Sequence, residues 1–227
     1  MTEPARVALY YAPLPDDPLT GLAARWLGRD PVSGTPVPQP ELPGIAELTA
    51  EPRRYGFHAT LKPPMRLAAG RGWAALRDAV TVMASSIAPF ELPRLSVQDL
   101  HGFLALRETQ PCAPLQALAD ACVRELDMFR APPSDAELAR RRRSRLSAEQ
   151  DAMLVRWGYP YVFDTWFFHM TLTRRLSAAE KSVVMPTAEA WFAPALAVSR
   201  RITDICLCTQ AEPDAAFLIA ERVPLRG

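Results

Sequence analysis

His58-Ala59-Thr60-Leu61 and His169-Met170-Thr171-Leu172 are nearly one string written twice, each behind a phenylalanine, Phe57 or Phe168. The chain has three histidines, and two of them occupy this frame. The repetition reads as two matching strands, each presenting one imidazole and one hydroxyl. Side chains alternate across a strand. His58 and Thr60 therefore share one face, with Phe57, Ala59 and Leu61 on the other. His169, Thr171 and Thr173 likewise lie opposite Phe168, Met170 and Leu172. The apolar sets can pack under helices while the His/Thr sets line a groove. Paired about a pseudo-two-fold, the strands would hold an imidazole on either side of a bound group.

That arrangement suits in-line substitution at phosphorus. A neutral imidazole can take a proton from an attacking oxygen while a protonated one gives a proton to the leaving oxygen. An ordinary His pKa near ~6.5 makes both forms available. Thr60 and Thr171 are candidate donors to nonbridging phosphate oxygens. Lys62 falls on the face of His58 unless Pro63 twists it away, and is a further candidate phosphate contact. Few carboxylates lie near either string, so neither a metal site nor a cofactor is expected. His101 has no companion string and precedes Gly102, so it reads as a structural turn residue. Tyr55, Tyr159, Tyr161 and Trp166 flank the strings as wall or core residues.

Outward from the strings, the plan repeats. Arg6–Ala12 reads as a strand ended by Pro13, and 18–27 as a short helix. Residues 28–52 hold six prolines and read mostly as loop. Tyr55–Leu61 reads as a strand stopped by Pro63-Pro64. A helix is expected over 73–87, strands over 90–100 and 103–106, and a helix over 115–126. The second half gives a strand over 166–173, a helix over 178–192 interrupted at Pro186, and strands over 202–209 and 217–223. Each half is thus a His strand, a helix and two more strands, which argues for internal duplication. The expected organisation is a single domain of two lobes, about 1–129 and 151–227, with strands able to swap between them. Residues 130–150 read as the connector. There Ser134 and Asp135 can cap a helix that carries Arg140 to Arg143, with Arg145 close behind. Without interleaved aromatics, this run reads as a solvated face that can also close over an anion.

With 227 residues, 49% hydrophobic and 22% charged, the composition is that of a globular protein. A net charge of +1 gives no global field towards nucleic acid or membrane, so any anion selectivity is local. No apolar run is long enough to span a bilayer, and Met1-Thr2-Glu3-Pro4-Ala5-Arg6 lacks a signal-peptide core. A cytoplasmic location and no membrane partner are expected. Cys112, Cys122, Cys206 and Cys208 match no zinc spacing and read as small buried residues.

The two His-x-Thr-Leu strings resemble those of the 2H phosphoesterase superfamily, which includes the LigT-like RNA cyclic phosphodiesterases. The longer stretches Arg53-Arg54-Tyr55-Gly56-Phe57-His58-Ala59-Thr60-Leu61-Lys62-Pro63-Pro64 and Trp157-Gly158-Tyr159-Pro160-Tyr161-Val162 resemble one bacterial branch, the DUF1045 family, associated with phosphonate metabolism. The resemblance implies an α+β, two-lobed, pseudo-symmetric fold with two antiparallel sheets facing a central cleft and helices outside. It implies His58 and His169 as the catalytic pair, and Thr60 and Thr171 as phosphate binders. It implies a metal-independent hydrolase that opens a small cyclic phosphate, such as a ribose cyclic phosphate. The alternatives are an RNA 2′,3′-cyclic phosphodiesterase and a phosphate- or nucleotide-binding protein without turnover.

Overall fold

The computed structural model describes residues 3–227. Nine strands form three antiparallel sheets among these residues. β1 (Arg6–Tyr11) lies between β2 (Ala59–Met65) and β8 (Asp204–Gln210), and β9 (Leu218–Pro224) completes a four-stranded sheet in the order β2-β1-β8-β9. β3 (Phe90–Leu92) pairs only with β7 (Arg200–Ile202). β4 (Leu95–Leu100), β5 (Phe103–Glu108) and β6 (Met170–Arg175) form the third sheet in that order. Both larger sheets draw strands from both halves of the chain. The two motif strands, β2 and β6, are edge strands of different sheets.

The helices start where their caps allow. Asp17 accepts the Leu19 amide at 2.8 Å to begin α1 (Pro18–Leu27), and Gly28, at φ 77, ends it. α2 (Ile45–Leu48) and α3 (Ala50–Tyr55) follow, then α4 (Trp73–Ser85) and α5 (Ala113–Glu125). α6 (Asp135–Arg142), α7 (Ala148–Trp157) and α8 (Ala178–Leu196) each begin with a capping box, from Ser134/Glu137, Ser147/Gln150 and Ser177/Glu180. α5 packs on β2, α8 on β4 and α1, and α4 on β9. Trp26, Leu61, Leu76, Phe168 and Phe192 lie fully buried in the resulting core. Cys122, Cys206 and Cys208 are buried and Cys112 is partly so; all four are free thiols.

Several local expectations are corrected. The loop over 28–52 contains α2 and the start of α3, and the strand expected from Tyr55 begins at Ala59. Pro63 and Pro64 lie inside β2 rather than ending it. On an edge strand a missing amide can face away from the ladder. The strand over 90–100 divides at Pro93 into β3 and β4, which join different sheets. The strand expected from Trp166 begins at Met170. Pro186 does not interrupt α8, which also runs through Pro194. Val184, Ala188, Phe192 and Ala195 bury one face of that helix, and this packing offsets the missing amides. His101 is a turn residue: with Gly102 it forms the two-residue β4–β5 loop, at φ 53 and 108, as a hairpin of this length favours.

Candidate functional site

A cleft of about 780 Å³ is lined by His58, Thr60, His169 and Thr171 together. The edge strands meet there through Trp166, whose indole Nε1 donates to the Thr60 carbonyl at 2.9 Å. One residue from the stretch before the second motif thus fastens the first.

The two histidines are held alike. Gly56, at φ 79, ends α3 and turns its carbonyl towards the His58 ring, with Nδ1 at 2.9 Å. His169 Nδ1 lies 3.2 Å from the Phe167 carbonyl, again two residues upstream. A carbonyl only accepts, so each Nδ1 carries the proton and, in the neutral ring, each Nε2 is a free base. Each ring also stacks on an aromatic. His58 lies 3.7 Å from Tyr10 at 26°, and His169 lies 4.8 Å from Phe167 at 28°. Thr60 Oγ1 is 3.2 Å from His58 Nε2, so its hydroxyl donates to that nitrogen. Burial pulls His58 down to about 4, with a smaller contribution from His169. Burial also lowers His169, aided by Arg107, whose guanidinium lies 5.5 Å from the Phe167 ring centroid. Both shifts favour the neutral ring.

β6 is irregular where it supports this site. Ala105 pairs with Thr171 and Phe103 with Arg175, so four residues of β6 span two of β5. Side chains satisfy the displaced backbone. Thr173 Oγ1 accepts the Leu104 amide at 3.0 Å, and Trp26 Nε1 donates to the Leu172 carbonyl at 3.0 Å. Thr173 therefore borders the cleft while its oxygen is engaged by the sheet.

Lys62 is a correction. Its side chain is about 1% exposed, and its ammonium donates to the Val123 carbonyl at 3.1 Å, with Asp127 at 3.7 Å. Between Thr60 and Lys62 the β1–β2 register slips, with Tyr10 opposite Thr60 and Leu9 opposite Lys62. The bulge breaks the alternation that would have kept the two on one face. Lys62 instead serves the last turn of α5, where unpaired carbonyls attract a cation. Burial lowers it to about 8, against the pull of Asp127. The unfolded chain then holds more protons between pH 8 and the ordinary lysine value, so stability contributed through this group rises as pH rises through that window. Lys62→Met is expected to remove that rise, seen in urea unfolding at pH 7.5 and pH 10, and to leave anion binding in the cleft unchanged. Weakened anion binding in a folded variant would return Lys62 to the cleft.

The cleft is more cationic than the motifs foretold. Arg6, Arg54, Arg140, Arg141, Arg174 and Arg175 line it, against the carboxylates of Glu51 and Asp214. Tyr159, Tyr161, Phe167 and His169 form a continuous aromatic wall with ring centroids 5.6, 6.2 and 4.8 Å apart in turn. Tyr55 stands 6.3 Å from His58 on the other side. Of the arginines, the sequence reading singled out the run from Arg140, as a solvated face that can also close over an anion. Among the described residues, no cluster of three or more His, Cys, Asp or Glu side chains is placed to hold a metal, and no helix is long and apolar enough to cross a membrane.

A profile described as "Protein of unknown function (DUF1045)" matches residues 60–218. A protein of Janthinobacterium sp. (strain Marseille), named ribose 1,5-bisphosphate phosphokinase PhnN, is 40% identical over 231 residues, 98% of this chain and 51% of its own length. A protein of the same name from Laribacter hongkongensis (strain HLHK9) is 36% identical over 220 residues, 96% of this chain and 51% of its own length. The chain thus spans about half the length of the curated relatives it matches. Among solved structures, E. coli LigT complexed with phosphate is similar at 14% identity and TM-score 0.45 over all of both chains. A structure described as a phosphoesterase is similar at 14% identity and TM-score 0.46, over 99% of this chain and 100% of that one. Likeness at this level supports neither a substrate nor a residue role.

These relatives overturn the expected activity. A cyclic phosphodiesterase is a hydrolase, whereas the proteins at 40% and 36% identity carry the name of a phosphokinase, a transferase. The reason lies in what the strings encode. Paired imidazoles and hydroxyls provide proton carriers and donors around a phosphate, but they do not specify whether water or a sugar phosphate receives the phosphoryl group.

Proposed function

Since the chain belongs to the DUF1045 family and its curated relatives are named for a ribose bisphosphate kinase, we propose that its cleft binds a phosphorylated ribose and serves the sugar-phosphate side of phosphoryl transfer. The carrying observation is the repeated device at His58 and His169, each with Nδ1 fixed by the carbonyl two residues back and each lining one arginine-rich cleft. In this reading a phosphate group of the sugar sits between the two rings. Thr60 and Thr171 donate to its oxygens, and the repeated motif belongs to a two-lobed, pseudo-symmetric LigT-like arrangement. The sequence also favours the sugar side. The chain has two lysines, Lys62 after Leu61 and Lys181 after Glu180, so it contains no G-x-x-x-x-G-K-[ST] loop to cradle nucleotide phosphates. A ribose phosphate fits a phosphonate-metabolism setting.

An anion changes the protonation of the site. Each Nδ1 proton is committed to a carbonyl, so an imidazole donates to phosphate only after Nε2 gains a proton. Binding therefore takes up protons, most strongly where the free rings are neutral. Calorimetric titration with ribose 5-phosphate near pH ~6.5, the ordinary histidine value, should give a more positive apparent enthalpy in Bis-Tris than in cacodylate. Thr60→Val and Thr171→Val should each weaken binding by about tenfold, the loss of one donor to a charged group. No detectable binding of ribose 5-phosphate, or binding indifferent to both hydroxyls, would remove this reading.

A further inference from the structure

The run Arg140–Arg143 divides its duties. Arg142 turns away from the cleft and pairs with Asp151 of α7 at 2.7 Å. Arg140 and Arg141 line the cleft with Ser144. Among the described residues, neither guanidinium has a carboxylate partner or a side-chain hydrogen bond. Arg141 is partly withdrawn from water and stacks over Tyr159 at 4.7 Å from the ring centroid. Tyr159 begins the aromatic wall that ends at His169. A partly buried guanidinium over an aromatic ring, with no carboxylate partner among the described residues, can offer its planar fork to an anion. Arg54 lines the same cleft, and among the described residues its guanidinium pairs only with the exposed Asp214, at 3.5 Å. The helix carrying the pair is itself fixed: Ser134 and Glu137 cap it, Arg66 reaches Glu137 at 3.2 Å, and Arg142 ties it to α7. Arg141 is packed against Tyr159, so less ordering is needed there when a ligand arrives.

We propose that Arg140 and Arg141, assisted by Arg54, form a second anion subsite of the cleft, which takes the second phosphate of a bisphosphorylated pentose whose first phosphate lies between His58 and His169. The inference rests on the reading of the cleft as a sugar-phosphate site and adds to it which ligands the site prefers. The two clusters line one cleft of about 780 Å³, and the aromatic wall runs between them. A ligand with one phosphate fills one cluster and leaves the other hydrated. A ligand with two fills both, and its affinity carries both sets of charge-assisted bonds.

The test is binding of ribose 5-phosphate and ribose 1,5-bisphosphate to the full chain and to R140Q/R141Q, by calorimetry at fixed salt. The wild type should bind the bisphosphate more tightly. The variant should lose about tenfold or more for the bisphosphate, from the loss of two charge-assisted contacts, and far less for the monophosphate. R141K, which keeps charge but not the fork, should fall between. α6 buries none of its residues, so the variants should melt with the wild type. Equal losses for both ligands would make the arginines a general positive field and overturn the subsite, as would no loss for either. A wild type that binds neither ligand would instead overturn the cleft reading and the subsite with it.

Discussion

Replacing His58 and His169 together by asparagine is expected to weaken ribose 5-phosphate binding at least about a hundredfold, since each imidazolium supplies a charge-assisted donor. Proton uptake on binding should vanish with it. The single variants divide the effect. Folding should survive. Asparagine can still donate to the Gly56 or Phe167 carbonyl, and His58 stacks on Tyr10 at the cleft surface rather than filling the core. A depressed folded-state pKa means that wild-type stability falls as pH drops from the ordinary histidine value towards about 4. The double variant should resist that acid loss better. A folded double variant that binds the sugar phosphate like the wild type would separate the histidines from the ligand.

Trp26→Ala should be the most damaging single change to the fold. The side chain is fully buried, packs on Phe192 at 5.5 Å and Trp191 at 6.5 Å, and donates to the Leu172 carbonyl. Emptying a buried tryptophan site typically costs about 3–5 kcal/mol. The unpaired carbonyl adds about 1–3 kcal/mol. Against a typical domain stability of about 5–15 kcal/mol, that is a large fraction. Trp26→Phe isolates the bond: it keeps most of the volume and should still lose about 1–3 kcal/mol. Urea unfolding measures both. Because Leu172 sits between Thr171 and Thr173 in the irregular part of β6, Trp26→Phe should also shift the amide resonances of those threonines. A phenylalanine variant as stable as the wild type would mean that the bond does not hold β6.

Elements set by local patterns were legible in the sequence. α1, α4 and α5 fall where a local reading places helices, α4 and α5 from their apolar spacing, and the β4–β5 hairpin follows from two strands about His101-Gly102. Ser134 also marked the start of α6. Where long-range packing competes with a local signal, the expectation failed. Pro186 breaks an isolated helix, but α8 is held along its length by a buried face, and that face exists only once β4 and α1 are in place. Pro63-Pro64 would stop an interior strand, yet β2 lies at a sheet edge, and strand order is not written in any one strand.

The same division holds for the site. By itself the sequence set His58 with Thr60 and His169 with Thr171 on like strand faces, because alternation along a strand is a local property and the two His-x-Thr strings repeat it, and all four line one cleft. It also placed the chain in its family. Tertiary structure decided the rest. Lys62 has the right spacing for the cleft, but a bulge against β1 sends it to the end of α5. Arg54 stands in the first motif stretch and Arg140 and Arg141 in a basic run far along the chain, and they line one cleft only because α3 and α6 fold over the same opening. A cationic rim is a sum of charges drawn from distant segments, and electrostatic fields add through space rather than along the chain.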